Sequence, residues 1–306
     1  MRAMPKRSAS ATGYLLLAGP VLLWGGTFQA VTVAGPHASA LMMNALRALV
    51  AAVMLVALLP LIRSRFPSGR LLLWAAITGL LGVVVSLEGL AEGVLRAGAG
   101  NAAVLNNTAP FWVLLLGRAV LGERMKPSGV LGLAVGFAGV VTMVSSQLGG
   151  AGGGNLALGM GLALAGSAAW GVSTLIVKWL AQRDATLDVT ALIAGQYVVG
   201  GAVLGAIAFS VDGMGGTDWS SGDLWAALAF LAVGASVIAI AAFFAALKRL
   251  PAAVASSSQF LVPVVAVLIE VARGHTPEGV VLAGMAVTVG GVALVTLAPD
   301  LRFRGR

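Results

Sequence analysis

The sequence predicts an all-α membrane protein with ten transmembrane helices, arranged as two inverted five-helix repeats around a central cavity. Three observations carry this prediction: the apolar composition, ten apolar runs of membrane-spanning length, and an internal repeat combined with a one-sided distribution of basic residues. Of the 306 residues, 59% are hydrophobic and 10% are charged, and the mean hydropathy is +0.98. Because soluble domains contain about 25% charged residues, this composition excludes a water-soluble fold.

Ten apolar runs match the roughly 20 residues that a helix needs to cross the hydrocarbon core of a bilayer. Short loops rich in Gly, Pro, Ser and charged residues separate these runs. No loop is long enough to fold as a separate soluble domain. We therefore expect transmembrane helices at about residues 13–34, 38–61, 71–92, 97–118, 128–146, 156–178, 188–210, 223–246, 252–271 and 279–298.

The basic residues are distributed unevenly between the two sides of the predicted bundle. When the termini and connections are numbered alternately, one set holds 16 of the 19 Lys and Arg residues and the other holds only Arg96 and Arg273. The remaining basic residue, Arg47, lies inside a predicted span. Since Lys and Arg accumulate on the cytoplasmic side, both termini are expected in the cytoplasm. The net charge of +8 is then a topology signal, and we expect no nucleic-acid partner.

Similar residues recur in the same order in the two halves of the chain. Five spans per half is an odd number, so the second half must be inverted in the membrane, as in many secondary transporters. We expect a first repeat at 1–148, a Gly-rich outer linker at 149–155 and a second repeat at 156–306. The matching features are Trp24-Gly25 with Trp170-Gly171, Asn106-x3-Pro110 with Gln259-x3-Pro263, and the pair Gly132 and Gly139 with the pair Gly284 and Gly291.

Over nearly its whole length, the chain resembles the EamA-type members of the drug/metabolite transporter superfamily. The resemblance rests on the ten spans in two halves, the Trp-Gly pairs, Arg47 in the second span, and the Pro110-x12-Glu123 spacing. The second half departs from this pattern, because Thr276 stands thirteen residues after Pro263, where Glu would correspond.

Within that superfamily, the chain is most similar to the YddG-like exporters of aromatic amino acids. The segment Ser86-Leu87-Glu88, the Asn106-x3-Pro110 motif and Trp170 carry this narrower resemblance. It implies a secondary transporter that exports amino acids across the bacterial inner membrane by alternating access. It also implies that no prosthetic group or other cofactor is needed.

The fourth and ninth predicted spans each contain a proline near a polar side chain. Pro110 has no N–H, so the carbonyl of Asn106 loses its helical partner, and Pro263 does the same to Gln259. An unsatisfied backbone group in hydrocarbon costs several kcal/mol unless it is buried in protein or lines a wet cavity. We therefore expect kinks at Pro110 and Pro263 that face a central, substrate-holding cavity.

Polar and aromatic side chains inside the spans are the candidate substrate-binding residues. A charge within a span indicates function by default, and Arg47 would bind a substrate carboxylate or, equally, satisfy Asn44 and backbone carbonyls. Glu88 would bind an amine or a proton, or lie in a solvated mouth. The polar residues would alternatively join helices and the tryptophans fill the core. The full set is Trp24, Thr27, Asn44, Arg47, Glu88, Asn101, Asn107, Thr108, Trp170, Ser258 and Gln259.

A zwitterion with an apolar side chain fits one deep cation, neutral amides and aromatic walls. Phosphorylated substrates would require several deep Lys or Arg residues, and only Arg47 is deep. A carrier of other metabolites such as sugars or drugs, a passive channel and a membrane-embedded lipid enzyme are the alternatives. With no cysteine and two histidines, we expect no metal, and we infer no obligatory protein partner. Ion coupling and uniport both remain open.

Overall fold

The computed structural model describes residues 11–123, 125–145, 155–184, 186–274 and 276–297. Within these residues all regular structure is helical, and there is no strand. Eight helical segments are long and apolar enough to cross a membrane. They are α1 (Ala11–Ala34), α2 (Ala40–Leu61), α3 (Gly69–Ala97), α7 (Leu156–Arg183), α8 (Val189–Val211), α9 (Gly222–Leu247), α10 (Ala252–Ile269, continued as helix to Ala272) and α11 (Gly279–Leu297).

The fourth and fifth predicted spans differ from the other eight. The span expected at 97–118 is divided into α4 (Ala99–Asn106) and α5 (Ala109–Val120). Pro110 is the second residue of α5. Backbone N–H groups in the first turn of a helix have no acceptor within that helix, so a proline, which has no N–H, is tolerated there. The next helix, α6 (Pro127–Met143), is apolar but has only 17 residues. The count of ten transmembrane helices therefore stays a prediction.

Four of the long segments contain local departures from α-helical geometry. α1 is interrupted at Gly26, and α10 contains a 3-10 turn at Ser258–Phe260. This turn lies just before Pro263, which cannot donate to the carbonyl of Gln259. α3 and α9 each contain a central π-helical stretch, at Leu80–Val85 and Phe230–Ile238. Such stretches are rare and frequently accompany functional sites.

Contacts between the connections define the two ends of the bundle. At one end, Ser64 Oγ donates to Asp188 Oδ2 at 2.5 Å, and Lys248 Nζ donates to the Leu187 carbonyl at 3.1 Å. We call this end the basic face, because the basic residues of these connections lie there. At the other end, which we call the opposite face, His37 Nδ1 lies 3.3 Å from Asp218 Oδ2. These two faces correspond to the two sets of connections obtained when the connections are numbered alternately along the sequence.

Four pairs of helices make extensive contacts: α6 with α11, α3 with α7, α2 with α8, and α1 with α9. Glycines allow the closest approach, between α6 and α11. A Cβ atom at Gly139 would lie 2.4 Å from Thr288 N, and one at Gly291 would lie 2.2 Å from Gly136 N. These backbones therefore touch directly, as small residues permit in membrane helices.

The expected linker at 149–155 lies almost entirely outside the described residues, as do both chain termini. The predicted repeat boundaries at 148 and 156 therefore stay predictions. Within the described residues, the largest apolar cluster lies mainly on α2, α8 and α9 and includes residues of α1, α3, α5, α7 and α10. Its fully buried members include Phe243, Phe244 and Leu192. This cluster holds the helices that surround the cavity described next.

Candidate functional site

A cavity of about 80 Å³ lies among the middle parts of the helices, and we call it the central cavity. Residues from α1, α2, α3, α4 and α7 to α10 form its wall. It therefore draws on both halves of the chain. The lining residues are Trp24, Thr27, Phe28, Arg47, Gly82, Ser86, Leu87, Leu90, Asn106, Trp170, Tyr197, Ile240, Gln259 and Val262.

Arg47 supplies a positive charge to this wall although the residue is only 4% exposed. Its Nε atom donates to Ser236 Oγ at 2.7 Å, and the Tyr197 hydroxyl also bonds to Ser236. Among the described residues, Arg47 forms no ion pair with a carboxylate. Burying a charge without a counter-charge is costly. The central cavity is therefore electrostatically suited to an anionic group.

Aromatic rings form the side of the central cavity that is nearer the basic face. The ring centroids of Trp24 and Trp170 are 5.8 Å apart in an edge-to-face arrangement, and Phe243 lies 5.4 and 5.5 Å from them. The indole Nε1 of Trp24 donates to the Ala235 carbonyl at 3.0 Å. Phe243 and Phe244 are fully buried near the end of α9. The two tryptophans thus present fixed apolar surface to the cavity.

Two polar atoms on the cavity wall lack hydrogen-bond partners. They are Thr27 Oγ1 and Gln259 Nε2, and both are buried without a partner in the described part of the chain. The two residues are 4% and 5% exposed. An unsatisfied buried polar group costs about 1–3 kcal/mol. Two such groups on one cavity wall indicate a site that is completed by a polar ligand or by water.

The structure thus brings together five of the predicted site residues on the central cavity: Trp24, Thr27, Arg47, Trp170 and Gln259. They come from α1, α2, α7 and α10. Their common location is consistent with a binding site between the two halves. The roles assigned to them remain predictions.

Two other predicted residues, Asn44 and Glu88, bond to each other beside the cavity wall. Asn44 Nδ2 donates to Glu88 Oε2 at 3.0 Å and to the Leu87 carbonyl at 3.1 Å. Asn44 is 1% exposed, and Glu88 is half-buried. Neither side chain lines the central cavity, although Leu87 does. The pair joins α2 to α3 and supports the cavity wall from behind.

The remaining predicted polar residues donate to backbone carbonyls three or four residues earlier in the chain. Asn101 Nδ2 and Asn107 Nδ2 donate to the carbonyls of Ala97 and Ala103, at 2.7 and 2.8 Å. The side chain of Ser258 bonds similarly to the carbonyl one turn earlier. Thr108 also reaches α7, where its Oγ1 lies 2.9 Å from Ser167 Oγ. None of the four lines the central cavity.

Several lining residues were not among the sequence candidates. Asn106 lines the cavity while its carbonyl accepts from Ser167 Oγ at 3.1 Å, so the carbonyl that Pro110 leaves free is satisfied across helices. Tyr197, 2% exposed, is one of two tyrosines in the sequence. A lone phenol in an apolar span was the available signal for it. Phe28 and Ser86 carry no comparable signal.

A second group of charged residues lies at the basic face. Glu123, 6% exposed, accepts from the Ala252 N–H at 3.0 Å through Oε2. Lys178 Nζ donates to the carbonyls of Leu247 and Leu250, both at 2.6 Å. Burial raises the pKa of the Glu123 carboxyl, while Lys178 and the amides at the start of α10 oppose the shift. These contacts join α5 and α7 to the connection between α9 and α10.

Comparisons with known proteins identify related sequences over most of the chain. The sequence model of the EamA-like transporter family matches residues 11–145 and 157–297. The uncharacterized inner membrane transporter YedA of Escherichia coli (strain K12) is 30% identical over 286 residues, which cover 92% of this chain and 89% of YedA.

Two further relatives are named as amino acid exporters. The aromatic amino acid exporter YddG of Ancylobacter novellus is 27% identical over 61% of this chain and 63% of its own length. A probable terminal-alkyne amino-acid exporter of Streptantibioticus cattleyicolor is 27% identical over 90% of each chain.

Proposed function

The chain belongs to the EamA-like transporter family, and we propose that it is a secondary transporter that exports amino acids with aromatic or other apolar side chains. Arg47 carries the proposal, because this buried cation has no counter-charge among the described residues and lines a cavity. Trp24 and Trp170 line the same cavity. In a zwitterion with an apolar side chain, the carboxylate would pair with Arg47 and the side chain would contact the two tryptophans.

The substrate carboxylate binds at Arg47 in this proposal. A guanidinium and a carboxylate form charge-assisted, often bidentate hydrogen bonds. The Nε atom of Arg47 is already held by Ser236 at 2.7 Å, so the side chain is oriented before the substrate arrives. Pre-orientation lowers the entropic cost of binding. Gln259 Nε2, which lacks a partner among the described residues, donates to the same carboxylate.

The α-ammonium group of the substrate binds between Thr27 and the indole rings. Thr27 Oγ1, unpartnered within the described segments, can accept a hydrogen bond from an ammonium group. The faces of Trp24 and Trp170 attract a cation electrostatically. Asn44, Glu88, Asn101, Asn107, Thr108 and Ser258 then act as positioning residues, because they bond to protein groups away from the cavity.

We further propose ten transmembrane helices in two inverted repeats, with α4 and α5 together forming the fourth span and α6 the fifth. In such a repeat, α1 corresponds to α7 and α3 corresponds to α9. The contact between α3 and α7 then corresponds to the contact between α9 and α1, and both contacts exist. It would also superimpose the π-helical stretches of α3 and α9. The two stretches matched by the family, 11–145 and 157–297, support the repeat as well.

The basic face is cytoplasmic in this proposal, as the distribution of Lys and Arg favours. The chain has no cysteine, so single cysteines report accessibility without background. A cysteine at Arg65 should react only with reagent applied from the cytoplasmic side, and one at Ser220 only from the other side. Labelling of both from the same side would refute this topology.

We propose that alternating access involves opening and closing of the basic face. The contacts of Glu123 and Lys178 with the start of α10 and the end of α9 seal this face, and the tryptophans lie between it and the central cavity. In this proposal, the described state is the one closed towards the cytoplasm. In the exporting cycle, these contacts break to load substrate and re-form before its release.

Transport by purified protein in liposomes tests the proposed function. Labelled phenylalanine, leucine, a phosphosugar and a quaternary ammonium cation would be compared, with empty liposomes as the control. We expect saturable flux of the two amino acids that is accelerated by unlabelled amino acid on the other side. Saturable flux of the phosphosugar or the cation alone would refute the amino acid assignment. Non-saturable flux would indicate a channel.

A further inference from the structure

A second cavity, of about 260 Å³, lies beside the central one. We call it the side cavity. Its wall comes from α1, α4, α6, α10 and α11, and the connection at Thr276 and Pro277 lies near its mouth on the opposite face. Most of the lining is apolar, including Met143, Ala266 and Val267. The side cavity is thus suited to an apolar group.

Among the described residues, Phe28 alone borders both cavities. The residue is 8% exposed and follows Thr27, whose hydroxyl is unpartnered in the described part of the chain. It also stands two residues after Gly26, where α1 is interrupted. The Phe28 ring therefore lies where the two cavities adjoin.

The volumes of the two cavities differ in a way that bears on the substrate. An apolar cavity of about 150 Å³ is large enough to bind benzene. The central cavity, at about 80 Å³, is smaller than this, whereas the side cavity, at about 260 Å³, is larger. The central cavity thus has room for a small zwitterionic group, and an aromatic ring would need additional space.

One polar atom faces the side cavity without a partner. Gln29 lines it, and Gln29 Oε1 is buried with no hydrogen-bond partner among the described residues. A carbonyl oxygen of this kind accepts a hydrogen bond. A ligand that fills the side cavity with an apolar body and ends in an N–H or O–H group would satisfy it.

We propose that the side cavity is the side-chain subsite of the transporter. The zwitterionic group of the amino acid remains at Arg47, and the start of its side chain contacts Trp24 and Trp170 in the central cavity. The remainder of a large apolar side chain passes Phe28 into the side cavity. Gln29 favours side chains that carry a donor, such as an indole or a phenol, over a plain phenyl ring. This inference rests on the proposed function and adds a rule for which amino acids are carried.

Filling the side cavity tests this subsite, because small and large amino acids should respond differently. Ala266→Trp and Val267→Phe each place added volume into the cavity. Leu268→Trp is the matched control, since Leu268 is the next residue of α10 and is 51% exposed. Initial rates for alanine, phenylalanine and tryptophan would be measured in liposomes for every variant.

We expect Ala266→Trp and Val267→Phe to lower phenylalanine and tryptophan transport at least about tenfold, as steric exclusion from a specificity pocket does. Alanine transport should stay within about twofold, and Leu268→Trp should change none of the three rates. Gln29→Leu should lower tryptophan transport relative to phenylalanine. Retained alanine flux also shows that each variant is folded.

Several results would overturn the subsite. Equal losses of alanine and phenylalanine transport in both filled variants would mean that the side cavity is a general exit route or a structural space. Unchanged phenylalanine transport in both would mean that the cavity holds something else, such as a lipid chain. A wild-type protein that transports no amino acid would instead refute the proposed function, so the two failures are distinguishable.

Discussion

Arg47 and Ser236 form a hydrogen bond of 2.7 Å between Nε and Oγ, deep inside the bundle and between the two halves of the chain. Ser236 belongs to the π-helical stretch Phe230–Ile238 of α9, and it is fully buried. The bond fixes one edge of the guanidinium group. The proposed binding of a substrate carboxylate depends on this fixed cation.

Thr27→Val should stabilise the protein and weaken transport. Valine has the shape of threonine and removes a hydroxyl that is buried without a partner among the described residues, so about 1 kcal/mol of unfolding free energy should be gained. The substrate loses one hydrogen bond, which should raise KM by roughly three- to tenfold. Thermal unfolding in detergent and initial transport rates measure the two effects.

Thr78→Val is the matched control for this substitution. The Thr78 hydroxyl donates to the Trp74 carbonyl at 2.6 Å and accepts from Gln196 Nε2 at 2.8 Å. Its removal leaves buried groups unpaired and should lower stability by about 1–3 kcal/mol. If Thr27→Val is as destabilising as Thr78→Val, the Thr27 hydroxyl has a structural partner and does not await a ligand.

Glu123→Gln should change how stability depends on pH. Burial raises the pKa of the Glu123 carboxyl, so this group contributes stability that is fully present below about pH 4.3, the unfolded value. That contribution is lost as the pH rises through the folded-state pKa. Glutamine can still accept from the Ala252 N–H but does not titrate. The Tm of Glu123→Gln should therefore fall less than that of wild type as pH rises.

The control for this experiment is Glu278→Gln, since Glu278 is exposed in the connection before α11. Its unfolding should follow the wild-type pH dependence. Glu123→Ala should be less stable than Glu123→Gln at every pH, because it leaves the Ala252 N–H without its partner. Parallel pH profiles for wild type and Glu123→Gln would contradict the assigned burial of this carboxyl.

Gly291→Ala should disrupt the contact between α6 and α11. The added Cβ would lie 2.2 Å from Gly136 N and 2.5 Å from Gly136 Cα, so the helices must separate. Overpacking of this kind costs about 1–3 kcal/mol. Gly290→Ala is the neighbouring control, because nothing lies within 4 Å of its added Cβ. Equal thermal stability of the two variants would show that the helices are not in backbone contact.

Much of the fold was predictable from the sequence, because the bilayer imposes length and polarity on each span. Eight of the ten expected spans correspond to long apolar helices. The fourth did not appear as one helix, since Pro110 marks the point where α4 ends and α5 begins. Proline thus indicated the position of the break, but the sequence did not show that Ser167 Oγ would donate to the freed carbonyl of Asn106.

The candidate site was less predictable, because tertiary contacts decide which polar groups are used by the protein itself. Arg47 and Gln259 were candidates by residue type and depth, and both line the central cavity. Asn101 and Asn107 were candidates for the same reason, yet each donates to a carbonyl four residues earlier in the chain, and neither lines the central cavity. Phe28 has an ordinary sequence context, and only the three-dimensional arrangement reveals that it borders both cavities.

Carboxylate recognition by Arg47 is the central claim, and competition between phenylalanine and phenethylamine tests it most directly. The two compounds share the aromatic ring and the ammonium group, and only phenylalanine has the carboxylate. In Arg47→Gln, the concentration of phenylalanine that inhibits transport of a labelled amino acid should rise about 10- to 100-fold, which corresponds to the loss of a hydrogen bond to a charged group. Inhibition by phenethylamine should stay within about twofold. Equal losses for both compounds, or no loss for either, would contradict carboxylate recognition by Arg47.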